Sequence, residues 1–150
     1  MARFSIRAMT ERDARAIAEW RYPGEYAFYD VDADPRDLAE LLDPARWGRD
    51  YFAADDEDGV LAGFFVVKRR GGRKEIGLGL RPGLTGRGLG GAFLDAGLAF
   101  AAPGPYVLHV AAFNARAIKV YERAGFVAVE RYDHFTNGGL HPFIRMERSA

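Results

Sequence analysis

The sequence predicts one α/β domain of the α+β type, with the element order β-α-α-β-β-β-α-β-α-β-β. Three observations point there. A chain of 150 residues, 49% hydrophobic and 28% charged, can bury one core and is too short for two of ordinary size. The middle of the chain carries consecutive strand-like segments joined by short turns, which reads as an antiparallel meander. Helical periodicity between strands returns only in the second half, so crossover connections belong there. Residues 1–150 are therefore expected to be a single domain.

Taken in order, "RFSIR" alternates apolar and polar residues and reads as a half-buried strand over residues 3 to 7. Thr10 is a helix N-cap with Asp13 three residues on, and Ala14, Ile17, Ala18 and Arg21 recur at helical spacing, predicting a helix to about Arg21. Pro23 and Gly24 interrupt it. Asp34 caps a second, short helix with Pro35 at its first position and Leu38, Leu41 and Leu42 as its inward face. "YFAA" and "VLAGFFVVKR" are strands joined by the acidic turn "DDEDG", and "KEIGLGLR" follows the turn "RRGGR". A glycine-rich loop opens a helix around Gly90 to Phe100. "PYVLHVAA" is a strand, and Asn114 to Ala124 a helix ended by Gly125. "FVAVERYDHF" and "HPFIRMER" close the chain as a hairpin around "TNGG".

Charge and composition exclude several functions. Lys plus Arg (21) balance Asp plus Glu (21), leaving no net positive field to recruit nucleic acid. No apolar run approaches the roughly 18 residues of a membrane span. "MARFSIRAMTERD" has neither an apolar signal region nor a cleavage site, so a cytoplasmic protein is expected. Cysteine is absent, which removes thiol nucleophiles and thiolate metal sites. His134 and His141 have no partners at metal-ligand spacing and read as surface residues of the hairpin; no metal is expected.

The loop "LRPGLTGRGLGGAF" raises the main functional question. Gly86, Gly88 and Gly91 fit GxGxxG, but the loop does not follow the first strand of a parallel sheet, and Ala111 and Ala112 stand where a ribose-binding acid would be. Gly88-Leu89-Gly90 replaces the Gly-Lys-Ser/Thr of an ATP-type loop. A bare turn needs fewer glycines, each of which carries an entropic cost. Exposed amides at a helix N-terminus, with Arg81 and Arg87 nearby, form an anion site suited to a pyrophosphate.

Downstream, "AFNARAIKVYERAGF" sets Asn114, Ala117, Tyr121, Gly125 and Phe126 at fixed spacing around one helix. The two segments together resemble the GCN5-related N-acetyltransferase (GNAT) superfamily, whose acyl-CoA loop reads Gln or Arg, two residues, Gly, one residue, Gly or Ala. "TGRGLG" fills that loop, with Gly88 and Gly90 matching and Thr85 in place of Gln or Arg. The resemblance is strongest over Glu75 to Phe126. It implies a mostly antiparallel, splayed sheet flanked by helices and acetyl-CoA as co-substrate. Leu78, Gly79 and Leu80 would carry backbone groups for the pantetheine arm. Gly86, Arg87, Gly88, Leu89, Gly90 and Gly91 would hold the pyrophosphate, and Asn114 would contact the cofactor while also serving as an N-cap.

Acyl transfer to an amine requires a neutral amine, a polarised carbonyl and a proton for the departing thiolate. By family analogy Tyr121 supplies that proton; by pattern alone it is a core aromatic beside Ala117, Ile118 and Ala124. The base is Glu75, His109 or a chain of waters. His109 stands where N-terminal-alanine acetyltransferases of the superfamily carry a glutamate in "LEV", and its pKa class suits proton acceptance near neutrality. The segment "WRYPGEYAFYD" falls where the family places its acceptor wall, so Trp20, Tyr22, Tyr26, Phe28 and Tyr29 would enclose the acceptor, with Glu25 and Asp30 attracting an ammonium group. The alternative for these rings is simple packing on the sheet. The expected partner is a small-molecule or peptide amine, with neither nucleic acid nor membrane involved. The final hairpin leaves an edge that dimers of this fold sometimes cover. A non-catalytic acyl-CoA-binding module on the same fold is the alternative function.

Overall fold

The computed structural model describes residues 3–150. It follows the expected element order. Strand β1 (Ser5–Ala8) leads into helix α1 (Glu11–Ala18) through a capping box in which Thr10 and Asp13 exchange hydrogen bonds. Asp13 is only 7% exposed. The Arg7 guanidinium grips it through Nη1 (2.6 Å) and Nη2 (3.0 Å) and reaches Asp55 through Nε (2.8 Å), so one side chain ties β1 to α1 and to the second strand. The helix stops at Ala18 rather than near Arg21. The Glu19 and Trp20 amides bond three residues back, to Ala16 and Ile17, and Pro23 then imposes extended chain on its predecessor. Residues Gly24–Tyr29 and Val31–Ala33 form 3-10 turns instead.

Helix α2 (Pro35–Leu41) starts as expected, with the Asp34 carboxylate accepting the Arg36 amide. Leu41 is buried, but Leu42 is 46% exposed because it lies just past the last helical residue and leaves the inward stripe. Strands β2 (Tyr51–Asp55), β3 (Leu61–Arg70) and β4 (Arg73–Leu80) form the meander. Helix α3 (Gly90–Ala101) crosses to β5 (Tyr106–Ala111), and α4 (Ala115–Arg123) crosses to the hairpin of β6 (Val127–Thr136) and β7 (Gly139–Arg148). The strands of the described residues make one sheet in the order β1-β2-β3-β4-β5-β7-β6. All neighbours are antiparallel except β4 and β5.

Strand alternation assigns the two faces. Phe65 of β3 packs under α3 and α4 with Leu94, Leu98, Leu108, Phe126 and Met146, while its neighbour Phe64 turns to the other face, where α1 and α2 bury Met9, Ala14, Ile17, Leu41 and Trp47. Burying Phe65 completely contributes about 2–3 kcal/mol. Its ring lies so close to α3 that a Cβ on Gly97 would sit 2.3 Å from it, which explains a glycine in mid-helix. Among the described residues, no helix is long and apolar enough to cross a membrane.

Candidate active site

Strands β4 and β5 pair only at Lys74–Tyr106 and Glu75–Val107, then splay apart. From Ile76 to Leu80 the edge of β4 facing β5 has no strand partner, so its N–H and C=O groups open into a cleft of about 820 Å³. Leu78, Gly79 and Leu80 line one wall of it, the glycine loop its end, and Asn114 to Arg123 the opposite wall.

The loop is shaped by its own short bonds. Thr85 turns its hydroxyl back onto the Pro82 carbonyl (2.9 Å), and Gly86 and Gly88 sit at φ +72° and +75°, where a side chain is strained. Helix α3 then begins without a side-chain cap, leaving first-turn amides unsatisfied at the cleft, with Gly86, Gly88, Leu89, Gly90 and Gly91 in its lining. The cations differ from expectation. Arg81 turns away to the Leu61 carbonyl (3.1 Å) and Asp56, and Arg87 leans on the Gly83 carbonyl; neither lines the cleft. The positive charge comes from α4 instead, through Arg116, Lys119 and Arg123. Arg116 Nη1 would lie 3.1 Å from a Cβ on Gly86, and its guanidinium stacks 4.2 Å over the Tyr26 ring. Their spacing of three and four along a helix was a readable signal.

At the other end of the cleft, Tyr29 bridges the splay. Its hydroxyl oxygen accepts the Ala111 amide and the Asn114 side-chain amide, each at 3.2 Å. Asn114 also caps α4, accepting the Ala117 amide at 3.1 Å, so capping and site-building coexist. Tyr121 projects from α4 into the lining, its ring edge-on to Phe126. Burial pushes its hydroxyl pKa up, so it stays protonated at neutral pH. No protein group among the described residues hydrogen-bonds that hydroxyl, and no buried side-chain polar atom lacks a partner, so the hydroxyl opens to the cleft.

A second cavity, about 390 Å³, lies on the α1/α2 side and shares Tyr22, Tyr29, Phe64, Ile76, Gly77 and His109 with the first. Trp20, Tyr22 and Tyr29 line it, as does Asp30, whose carboxylate accepts the Tyr22 amide (2.8 Å). The Tyr22 hydroxyl donates to the Leu80 carbonyl (2.7 Å), tying this wall to β4. Tyr26 lies on the first cleft instead, and Glu25 is exposed and lines neither, because the 3-10 turn rotates it outward. His134 is exposed, as expected, and also lines the second cavity, with its ring 4.9 Å from Phe143. Glu75 and His109 meet there, Oε1 to Nε2 at 3.1 Å. That bond and the nearby Arg70 hold the Glu75 carboxyl below the usual carboxylate range against its partial burial. The far imidazole nitrogen, Nδ1, lies 2.7 Å from the hydroxyl of Tyr132, which no sequence motif marks.

The chain matches the acetyltransferase (GNAT) family over residues 13–126. It is 41% identical to a mycothiol acetyltransferase of Clavibacter michiganensis subsp. michiganensis over 118 residues, 76% of this chain and 37% of that protein. It is 36% identical to a mycothiol acetyltransferase of Streptomyces avermitilis over 121 residues, 77% of this chain and 38% of the other. The chain thus spans little more than a third of these relatives. Among solved structures it resembles a spermidine N-acetyltransferase from Vibrio cholerae in complex with CoA and spermine, with TM-score 0.74, 20% identity, and coverage of 98% of this chain and 95% of that one. A putative phosphinothricin N-acetyltransferase gives TM-score 0.71, 18% identity, and coverage of 97% and 98%. At such identities these two likenesses establish the fold.

Proposed function

The chain belongs to the acetyltransferase (GNAT) family, and from that premise we propose that it transfers an acetyl group from acetyl-CoA directly to a primary amine. The observation that carries this reading is the unpaired edge of β4, which runs from the glycine loop to the junction of the two cavities. A ligand arm bearing amides can pair with that edge as an added strand would. The bare amides of α3, with Arg116, Lys119 and Arg123 opposite, suit a pyrophosphate at the arm's outer end. Both features fit CoA, which combines such an arm with such an anion.

The chemistry is set by what each wall offers. The amine nitrogen attacks the thioester carbonyl, a C–N bond forms and the C–S bond breaks. The departing thiolate takes a proton from the Tyr121 hydroxyl, and the acceptor's own proton passes to the Glu75–His109 side. No Cys or Ser lines either cavity among the described residues, which favours direct transfer over an acyl-enzyme. The acceptor side brings Asp30, Asp37, Glu40 and Glu75 together with Lys68, a lining suited to an amine that arrives as a cation. We read the acceptor as a small-molecule or peptide amine and residues 1–150 as one N-acetyltransferase domain.

The test is release of free thiol from acetyl-CoA with a panel of polyamines, amino sugars, cysteine conjugates, amino acids and peptides. Turnover with any of them is the expected result. Binding of acetyl-CoA without turnover across the panel would leave the acyl-CoA-binding module instead.

A further inference from the structure

Glu75, His109 and Tyr132 come from three strands and form one hydrogen-bonded line. Glu75 pairs with Val107 in the parallel register, and His109 stands two residues on, on the same face of β5. Tyr132 reaches it from the hairpin, its ring edge-on at 5.7 Å. The two bonds, 3.1 Å from Nε2 to Glu75 and 2.7 Å from Nδ1 to the Tyr132 oxygen, fix the proton inventory. A neutral imidazole has one donor and one acceptor nitrogen. An ionised Glu75 can only accept, so Nε2 must carry the hydrogen. Nδ1 is then the acceptor, and Tyr132 must donate to it. Both ring nitrogens are thereby engaged, and neutral His109 has no lone pair left for a substrate. Glu75 does: its second oxygen stands 3.7 Å from Arg70 Nε, and the residue lines the acceptor cavity.

We propose that Tyr132 is a positioning residue: by donating to Nδ1 it holds the His109 ring in place, so that the Nε2–H, whose tautomer the ionised Glu75 fixes, orients the Glu75 carboxylate toward the acceptor amine. This rests on the acetyl-transfer reading. The ammonium N–H bond breaks, an O–H bond forms on Glu75, and that proton leaves to water in the open cavity. The freed nitrogen lone pair attacks the thioester, the C–S bond breaks and the thiolate takes the Tyr121 proton. The second proton, shed by the acylated nitrogen, passes through Glu75 and water to restore the Tyr121 hydroxyl. Should His109 itself charge, its Nδ1–H would donate to the Tyr132 oxygen, so one hydroxyl serves both charge states. The surrounding charges pair among themselves. Lys68 and Arg70 of β3 face Glu75, while Arg145 of β7 lies opposite His109 and bonds Glu130 and Glu147, the latter also held by Arg73. His134 packs on the far side of the Tyr132 ring.

Two readouts test this. In 15N-labelled protein above neutrality, long-range imidazole spectra should show His109 as Nε2–H in the parent and in Tyr132→Phe alike, with the Nδ1 resonance displaced in the variant because its hydrogen bond is lost. In steady-state kinetics Tyr132→Phe should lower kcat/KM for the amine roughly tenfold and displace the acid limb of its pH profile, with KM for acetyl-CoA unchanged. His109→Gln, which keeps a donor toward Glu75, should retain far more activity than His109→Ala, whereas Glu75→Gln should lose about 10²-fold. An Nδ1–H tautomer in the parent, an Nδ1 resonance and pH profile unchanged in Tyr132→Phe, or a His109→Gln as slow as His109→Ala would each overturn the assignment. If no amine is acetylated but the Nδ1 resonance moves in Tyr132→Phe, the Tyr132–His109 contact stands and the acetyltransferase reading fails.

Discussion

Tyr121 and Tyr132 show how differently two similar side chains can be read. Tyr121 has a hydroxyl open to the first cleft, and burial raises its pKa, which keeps the proton on the oxygen until a departing sulfur can take it. Tyr121→Phe should therefore keep near-normal acetyl-CoA affinity and lose turnover by about 10²-fold; equal rates in variant and parent would return Tyr121 to the core. The place of Tyr121 on the cleft wall was legible only through the family motif that it shares with Asn114 and Gly125, since pattern alone reads it as a core aromatic, whereas Tyr132 gains its contact from a residue on a different strand. Asp13 makes the same point for stability. The capping box was readable, but the bond to Arg7 that holds its carboxyl below the normal range required the fold. A carboxylate with a depressed folded pKa stabilises above the unfolded value near 3.9 and loses that contribution as pH falls through the folded pKa. Asp13→Asn should cost about 1–3 kcal/mol at neutral pH in denaturant melts, and the gap to the parent should narrow below about pH 4. A gap that stays constant down to acid would rule out the ionised carboxylate as its source.

Elements are positioned here by polar residues at their ends as much as by apolar faces. Asp34 caps α2 through one carboxylate oxygen and with the other accepts the Thr136 hydroxyl (2.9 Å) and the Asn137 amide (3.2 Å). Asn137, at φ 51° in the tight turn, sends its side-chain amide to the Phe28 carbonyl at 2.8 Å. The β6–β7 turn is thus fastened to α2 and to the aromatic segment that lines the second cavity. The sequence identified Asp34 as a cap and "TNGG" as a turn, since each is a short-range signal, but nothing local marks a bond across a hundred residues. The same limit explains the helix end at Ala18 and the exposed Leu42: periodicity finds a helix, while its last turn is decided by the neighbouring chain beyond the periodic stretch. Asp34→Ala removes a cap and two tertiary bonds, so it should destabilise by about 2 kcal/mol and raise KM for the amine more than KM for acetyl-CoA. A loss of stability with both constants untouched would show that the hairpin does not hold the acceptor wall.

On the scale of the whole molecule, the sheet is continuous except where β4 and β5 part, and the two cavities meet at that opening from opposite faces. The element order made the fold legible, because a meander succeeded by two crossovers leaves few ways to build one sheet. The opening itself was expected only through family resemblance; no residue pattern states that a parallel pair lasts for two positions. A ligand that pairs with the free edge of β4 joins the halves of the sheet, so binding should stabilise the fold as a unit. At one hundred times its Kd, a ligand selective for the folded state adds about 2.7 kcal/mol, which for a chain of this size is roughly 5–10 °C in Tm. Acetyl-CoA should produce a shift of that order in calorimetry. Gly88→Val should abolish it, because a branched side chain at φ +75° distorts the loop that presents the α3 amides, while the parent core, remote from the loop, keeps the variant folded. A parent whose Tm is unmoved by millimolar acetyl-CoA, or a Gly88→Val variant that shifts as far as the parent, would show that the opening between β4 and β5 is not where this protein holds its acyl donor.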